Sequence, residues 1–298
     1  MDSYPIITFL TDYGLSGGYV ASCEAVIASL NPAVRVLHVA HDMSAGDIRS
    51  GATILARVAP LAPPAVHLAV VDPGVGTARR VLAVHAHRGD FLVGPDNGLL
   101  LPAVMALGGP ATTWSLDPER VRSQAGLNPE GLSSTFHGRD VFAPAAALLA
   151  GGSLPTLLGE TCAFDSLVTL LPALVKQIAP GRVLVEVVEV DRFGNIALAV
   201  DFAALQNMLG DEVALYGRHV EVLVEEGEQM SWNARVVHTF GELAGGDLGL
   251  FRDSWGQTGL TLNGASAAQL LGADHGMHVL LTVLHPDPRS DLVNGGRP

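Results

Sequence analysis

The chain has little cysteine: Cys23 and Cys162 are the only two in 298 residues. Two isolated thiols make neither a disulfide framework nor a zinc knuckle. Cys23, set among small and apolar residues, reads as a packing residue rather than a nucleophile. Cationic residues are scarce as well, with 17 Lys+Arg against 30 Asp+Glu and a formal net charge of −13. Phosphate neutralisation needs basic side chains, so this balance argues against a nucleic-acid partner. No run of like charge is long enough to be a binding tail. No apolar run reaches the roughly 18 to 20 residues that span a bilayer, and no membrane partner is expected. The opening residues, Met1 to Gly14, lack a basic stretch followed by a long apolar one, the pattern of a secretory signal. A cytoplasmic location is the expectation.

What is present is apolar. Hydrophobic residues make up 48% of the chain and charged residues 16%, which favours a folded core over disorder. The length suggests two domains. Ile6 to Leu10, Val34 to Val39 and Val66 to Val71 read as strands. Gly18 to Leu30 and Asp47 to Ala59 between them have helical spacing. This β-α-β-α-β order implies a mostly parallel sheet covered by helices. Val81 to Ala86 and Phe91 to Gly94 read as a hairpin pair, and Asp140 to Ala150 as a helix with Pro144 near its first turn. Residues 153 to 180 carry no clear period. We divide the chain there, into an α/β domain over 1–172 and a smaller, all-β, barrel-like domain over 173–298. Short strands are expected in the second part at 183–190, 196–200, 212–216, 220–224 and 278–283.

Parallel sheets place functional groups just beyond the carboxyl ends of their strands. Asp12 follows the first strand and Asp72 the third, so both are expected on one edge of the sheet. Four stretches are candidates for chemistry. Val70 to Arg80 puts Asp72 and Arg79, a carboxylate and a guanidinium, on one glycine-containing loop. A salt bridge bracing the turn is the alternative reading. Ser134 to Asp140 carries His137, whose charge can switch near neutral pH, just before a helix. A local hydrogen-bonding role is its alternative, and Arg139 and Asp140 read as an ion pair or cap. In Val190 to Asn195, Phe193 is flanked by Asp191 and Asn195. This suits either stacking on a planar ring or a β-turn with Phe193 in the core. Arg252 to Ala268 reads as a turn, a strand and a helix start. The remaining histidines are dispersed and form no metal-ligand cluster, so no metal is expected. His85 and His87 read as solvent-facing residues on one strand.

Taken together and in order, these stretches resemble the S-adenosyl-L-methionine (SAM) hydroxide adenosyltransferase family, hydrolase relatives of the SAM-dependent fluorinases and chlorinases. The resemblance runs through Thr8-Phe9-Leu10-Thr11-Asp12-Tyr13-Gly14, VVDPGVGT with Arg79, Pro95-Asp96-Asn97-Gly98, TFHGRD, DRFGN and the Ser254-to-Ala268 segment. It implies an N-terminal α/β domain, a C-terminal β-barrel-like domain and a homotrimer with SAM bound at a subunit interface. It implies hydrolysis of SAM to adenosine and L-methionine by water attacking ribose C5′, with SAM as substrate and no cofactor. Carried over by motif, Asp72, Arg79 and His137 match the water-activating set. Asp12 matches the ribose-binding acid, and Thr135 and Phe136 match positions beside the ribose and the reacting carbon. Asp191, Phe193 and Asn195 match contacts to the methionine amine and the adenine. Ser254 and Gly264 match C-terminal contacts to methionine and adenine.

One position departs from the pattern: relatives often carry an aromatic residue where Gly46 stands. Trp255, beside Ser254, occupies a position that varies among relatives. Halogenating relatives carry Tyr at the position of Asp72, whose negative charge would repel a halide. A SAM- or nucleoside-binding module without turnover would keep Asp12, Phe193 and Asn195 but would not need Asp72, Arg79 and His137 together.

Overall fold

The computed structural model describes residues 3–128, 131–209, 215–225 and 230–284. The chain divides into two compact units, Met1–Leu171 and Pro172–Pro298.

The first unit is built on a seven-stranded sheet. Its strands are β1 (Ile6–Thr11), β2 (Arg35–Ala40), β3 (Val66–Val70), β4 (Val81–Ala86), β5 (Phe91–Pro95), β6 (Pro110–Leu116) and β7 (Gly159–Thr161). Their order across the sheet is β2-β1-β3-β5-β4-β6-β7. The β2-β1-β3-β5 half is parallel, and β4, β6 and β7 are joined antiparallel. Every residue of β3 is buried, as expected for a parallel strand covered on both faces. Its one polar member, His67, is accommodated by Thr8 Oγ1 at 2.7 Å from Nδ1 and Asp90 Oδ1 at 3.1 Å from Nε2.

Helices α1 (Tyr19–Leu30) and α5 (Ala143–Ala150) pack on one face with Ile7, Phe9 and Val70. Helices α2 (Ile48–Val58) and α3 (Leu101–Ala106) cover the other face with Leu10, Val71 and Leu82. Asp47 caps α2, its carboxylate accepting the Ser50 N–H at 3.0 Å. A further helix, α4 (Pro118–Gln124), follows β6. The chain leaves β1 over one face towards β2 and returns over the other to β3. The sheet order therefore reverses beside β1, and the crevice lies beyond the carboxyl ends of β1 and β3.

Two expectations for this unit need correction. The helix read from Asp140 begins instead as a π-helical turn, Gly138–Phe142, that runs into α5. Pro144 has no N–H to give the Asp140 carbonyl, which accepts Arg122 Nη1 at 3.3 Å instead. The Ala143 N–H reaches back to the Gly138 carbonyl, giving the wider turn. The second concerns His85 and His87: His87 is exposed as expected, but the two do not share a strand and His85 does not face solvent. His85 is half-buried with its ring 4.7 Å from that of Phe91, and His87 lies beyond the end of β4.

The second unit comprises β8 (Val175–Ala179), β9 (Arg182–Val190), β10 (Ile196–Asp201), β11 (His219–Val224), β12 (Ser231–Val237), β13 (Leu248–Arg252), β14 (Gln257–Leu262) and β15 (His278–Val283). The order β10-β14-β13-β12-β11-β15-β9 closes through a β9–β10 pairing into a seven-stranded barrel, with β8 joined to β9. Alternate residues such as Val183, Val185 and Val187, and Val220, Val222 and Val224, fill the interior. Helices α6 (Phe202–Met208) and α7 (Ala267–Leu271) are capped by Asp201 and Ser266. Of the strand expected at 212–216, residues 212–214 lie outside the described residues. Leu215 and Tyr216 have no strand structure.

Candidate active site

The loop after β3 holds the acid and the guanidinium together. Arg79 donates Nε to Asp72 Oδ1 at 3.0 Å and to Oδ2 at 2.9 Å, and Nη2 to Oδ2 at 2.5 Å. The two side chains are only 9% and 6% exposed, Arg79 first. Gly76 makes the loop possible, with φ of +78°. A Cβ there would also stand 2.6 Å from the Ser134 carbonyl. This close approach presses the Asp72–Arg79 loop against the stretch that carries His137.

Across that contact, Arg79 Nη2 lies 2.9 Å from His137 Nδ1. A guanidinium has only donors, so Nδ1 must accept, and the neutral ring carries its proton on Nε2. Burial first, and then the Arg79 charge, holds His137 below the usual histidine range. The Arg79 guanidinium also lies 5.0 Å from the centre of the Phe142 ring, a cation–π contact from the π-helical turn.

Asp72 and His137 share a cavity of about 260 Å³ with Asp12, Thr135 and Phe136. Five of the six positions expected from the first unit thus line one space, and Arg79 stands behind Asp72. Asp12 is held by the Gly46 N–H, which donates to Oδ2 at 2.8 Å. Gly46 has φ of +76°, a conformation that an aromatic side chain would occupy only under strain. Arg139 and Asp140 pair with each other at 2.6 Å, as expected of a local ion pair. Tyr13, Val75 and Gly138, which lie within the motif stretches without an assigned role, and Tyr19, which lies outside them, line the cavity too. Tyr13 stood in plain view beside Asp12. Tyr19, seven residues from Asp12 and at a helix start, carried no signal of its own.

In the second unit, Asp191 organises the turn ahead of β10. Its Oδ1 accepts the N–H groups of Phe193 at 2.8 Å and Asn195 at 2.9 Å, and its Oδ2 accepts Asn195 Nδ2 at 2.9 Å. Thr261 on β14 donates to Asn195 Oδ1 at 2.6 Å. Phe193 is therefore displayed rather than packed: it is 70% exposed, against the core reading. Gly264 lies just past the end of β14, on the same side as this turn. Ser254 is exposed in the turn that precedes β14, at the opposite end of that strand. Among the described residues, no group of three or more His, Cys, Asp or Glu could hold a metal ion. No helix among them is long and apolar enough to cross a membrane.

An α/β unit with a cavity at its sheet reversal, followed in the same chain by a closed β-barrel, defines a two-unit α/β-plus-barrel architecture. Within the crevice, an acid, a guanidinium and an imidazole form one hydrogen-bonded chain. Residues 7–159 match the SAM hydroxide adenosyltransferase N-terminal domain, and residues 185–280 match the C-terminal domain of the same family. The (R)-S-adenosyl-L-methionine hydrolase of Salinispora tropica is 44% identical over 93% of this chain and 98% of its own. A fluorinase of Nocardia brasiliensis is more distant, 26% identical over 64% of this chain and 70% of its own. The crystal structure of an uncharacterized conserved protein from Thermotoga maritima resembles this fold with a TM-score of 0.81 at 29% identity, covering 93% of this chain and 99% of that one. The chain belongs to the SAM hydroxide adenosyltransferase family.

Proposed function

We propose that this protein hydrolyses SAM to adenosine and L-methionine, with water attacking C5′ as the carbon–sulfur bond breaks. The observation that carries the reading is the Asp72–Arg79–His137 chain on the wall of a cavity that also holds Asp12. The relative's name specifies the (R) sulfonium epimer, and we extend that preference to this chain.

The sulfonium is a good leaving group, so the protein's work is to place water in line behind C5′. Orientation of this kind contributes about 7 to 11 kcal/mol. Water becomes strongly acidic as its oxygen bonds to carbon, so even a weak base takes its proton late in the step. Hydrogen-bond accounting supports Asp72 as that acceptor. The lone pair of His137 Nδ1 is already taken by Arg79, and Nε2 holds a proton. Asp72 Oδ1 accepts only one bond from Arg79 and has a lone pair to spare. His137 then serves as donor and orienter, and Arg79 balances the charge of Asp72. One water is consumed and one proton released for each adenosine and methionine formed.

Asp12 binds the ribose hydroxyls, and Thr135 and Phe136 flank the ribose and the reacting carbon. Asp191, Phe193, Asn195, Ser254 and Gly264 receive adenine and methionine at a subunit interface of a homotrimer. No cofactor is needed for this step, and the enzyme works in the cytoplasm. Asp72 on the cavity wall disfavours a halide nucleophile. The test is incubation with (R)-SAM in ¹⁸O-labelled water. Adenosine labelled at the 5′-hydroxyl, with an equal amount of L-methionine, is the expected result. Tight SAM binding without adenosine release would replace the enzyme by a binding module.

A further inference from the structure

Three aromatic rings meet on one side of the cavity. Tyr19 and Phe136 lie 5.1 Å apart between centroids at 86°, Tyr13 and Phe136 5.7 Å apart at 74°, and Tyr13 and Tyr19 6.1 Å apart at 57°. Aromatics are only 5% of this chain, and two of its four tyrosines line this one space. Tyr19 is the unusual member. It is 51% exposed, although it stands at the start of α1, where polar residues serve equally well. Two glycines seat it. A Cβ on Gly17 would stand 2.8 Å from the Tyr19 ring, and Gly18 turns the chain into the helix with φ of +71°. Phe136 already has a cation near it, the Arg139 guanidinium at 5.1 Å.

Charge on the reacting side points the same way. The Asp72 carboxylate is balanced by Arg79, so it offers little net attraction to a cation. An aromatic ring attracts a cation through the negative face of its π system, and most strongly when water is kept away. We propose that Tyr19, supported by Tyr13 and Phe136, is a specificity-determining residue that recognises the positive charge of the sulfonium. This inference rests on the SAM reading above and deepens it. Loss of that charge on cleavage then weakens the hold on the thioether product and keeps neutral adenosyl thioethers from occupying the site.

The test compares Tyr19→Leu and Tyr19→Phe with the wild type by calorimetric titration. The probes are sinefungin, which carries an ammonium where SAM has its sulfonium, and S-adenosyl-L-homocysteine, the neutral thioether. Neither is cleaved, so the measurement stands apart from turnover. Tyr19→Leu is expected to weaken sinefungin about tenfold, the size of a cation–π contact of about 1.4 kcal/mol. The thioether should change less than twofold, and the KM for SAM should rise in step with sinefungin. Tyr19→Phe keeps the ring and should keep the preference. Equal weakening of both probes by Tyr19→Leu, or no change in either, overturns the proposal. A wild type that binds both probes but releases no adenosine overturns the hydrolase reading instead, and the probe ratio still decides the role of Tyr19. Because Tyr19 is 51% exposed, its loss should leave the thermal midpoint within about 2 °C.

Discussion

Asp72→Asn separates the structural from the chemical work of the buried ion pair. The Asp72 carboxylate accepts three contacts from Arg79, and the guanidinium side chain is only 9% exposed. Asparagine keeps the shape but removes the charge and turns an amide toward the guanidinium. Unpairing a buried charge in this way costs about 3 to 5 kcal/mol. A domain of this size loses about 2 to 4 °C per kcal/mol, so the first unit should melt about 6 to 20 °C lower. Turnover should fall about 10²- to 10⁴-fold, the usual contribution of a positioned proton acceptor. Scanning calorimetry and chromatographic measurement of adenosine read the two effects separately. Adding Arg79→Met to Asp72→Asn removes the stranded cation, so it should restore most of the melting temperature and none of the activity. If Asp72→Asn melts within about 2 °C of the wild type, the pair is not the buried unit described here. If it turns over SAM at the wild-type rate, Asp72 is not the proton acceptor.

Other predictions follow from the same geometry. Burial and then Arg79 hold His137 neutral below the ordinary histidine range, so the acid limb of the kcat/KM profile should lie below about pH 6.5. Arg79→Met should move that limb upward, and a wild-type limb at or above 6.5 would contradict the hydrogen bond to Nδ1. His41, buried between Thr11 and His38, is pushed down to about 4 by burial and by the neighbouring His38. The unfolded chain takes up that proton near pH 6.5 and the folded chain does not. Stability is therefore complete above 6.5 and falls as pH drops towards 4, by up to about 3 kcal/mol. Urea unfolding at pH 7 and pH 4.5 measures the loss, which His41→Gln should reduce. In the second unit, Gly194 has φ of +81°, and a Cβ there would collide with the Ser266 side chain. Gly194→Ala should destabilise the barrel by about 1 to 3 kcal/mol, and an unchanged unfolding midpoint would show that the turn can relax.

Local pattern and local chemistry were legible along the chain. Apolar runs of strand and helix period located β1, α1, β2, α2 and β3 to within a residue or two, because residue spacing and the turn residues between the runs are local signals; the burial of β3 on both faces and the exposure of the edge strand β2 were not. The motif stretches made Asp72, Arg79 and His137 candidates by residue type, and their resemblance to the family, taken together and in order, grouped the three. Elements with weaker patterns escaped: β6 carries Trp114 among threonines, and α4 is a short polar helix. The π-helical start of α5 escaped too, because it depends on where the Asp140 carbonyl finds a donor.

Residue order alone thus determined that an acid would end β1 and another would end β3, since strand length and the turn after each strand are local properties. Only the tertiary structure decided that Arg79 reaches His137, that the imidazole proton sits on Nε2, and that Tyr19 faces the same space. Those outcomes depend on Gly76 pressing against the Ser134 carbonyl and on α1 being docked against the sheet. Contacts between distant segments are set by packing, and no periodicity within either segment encodes them.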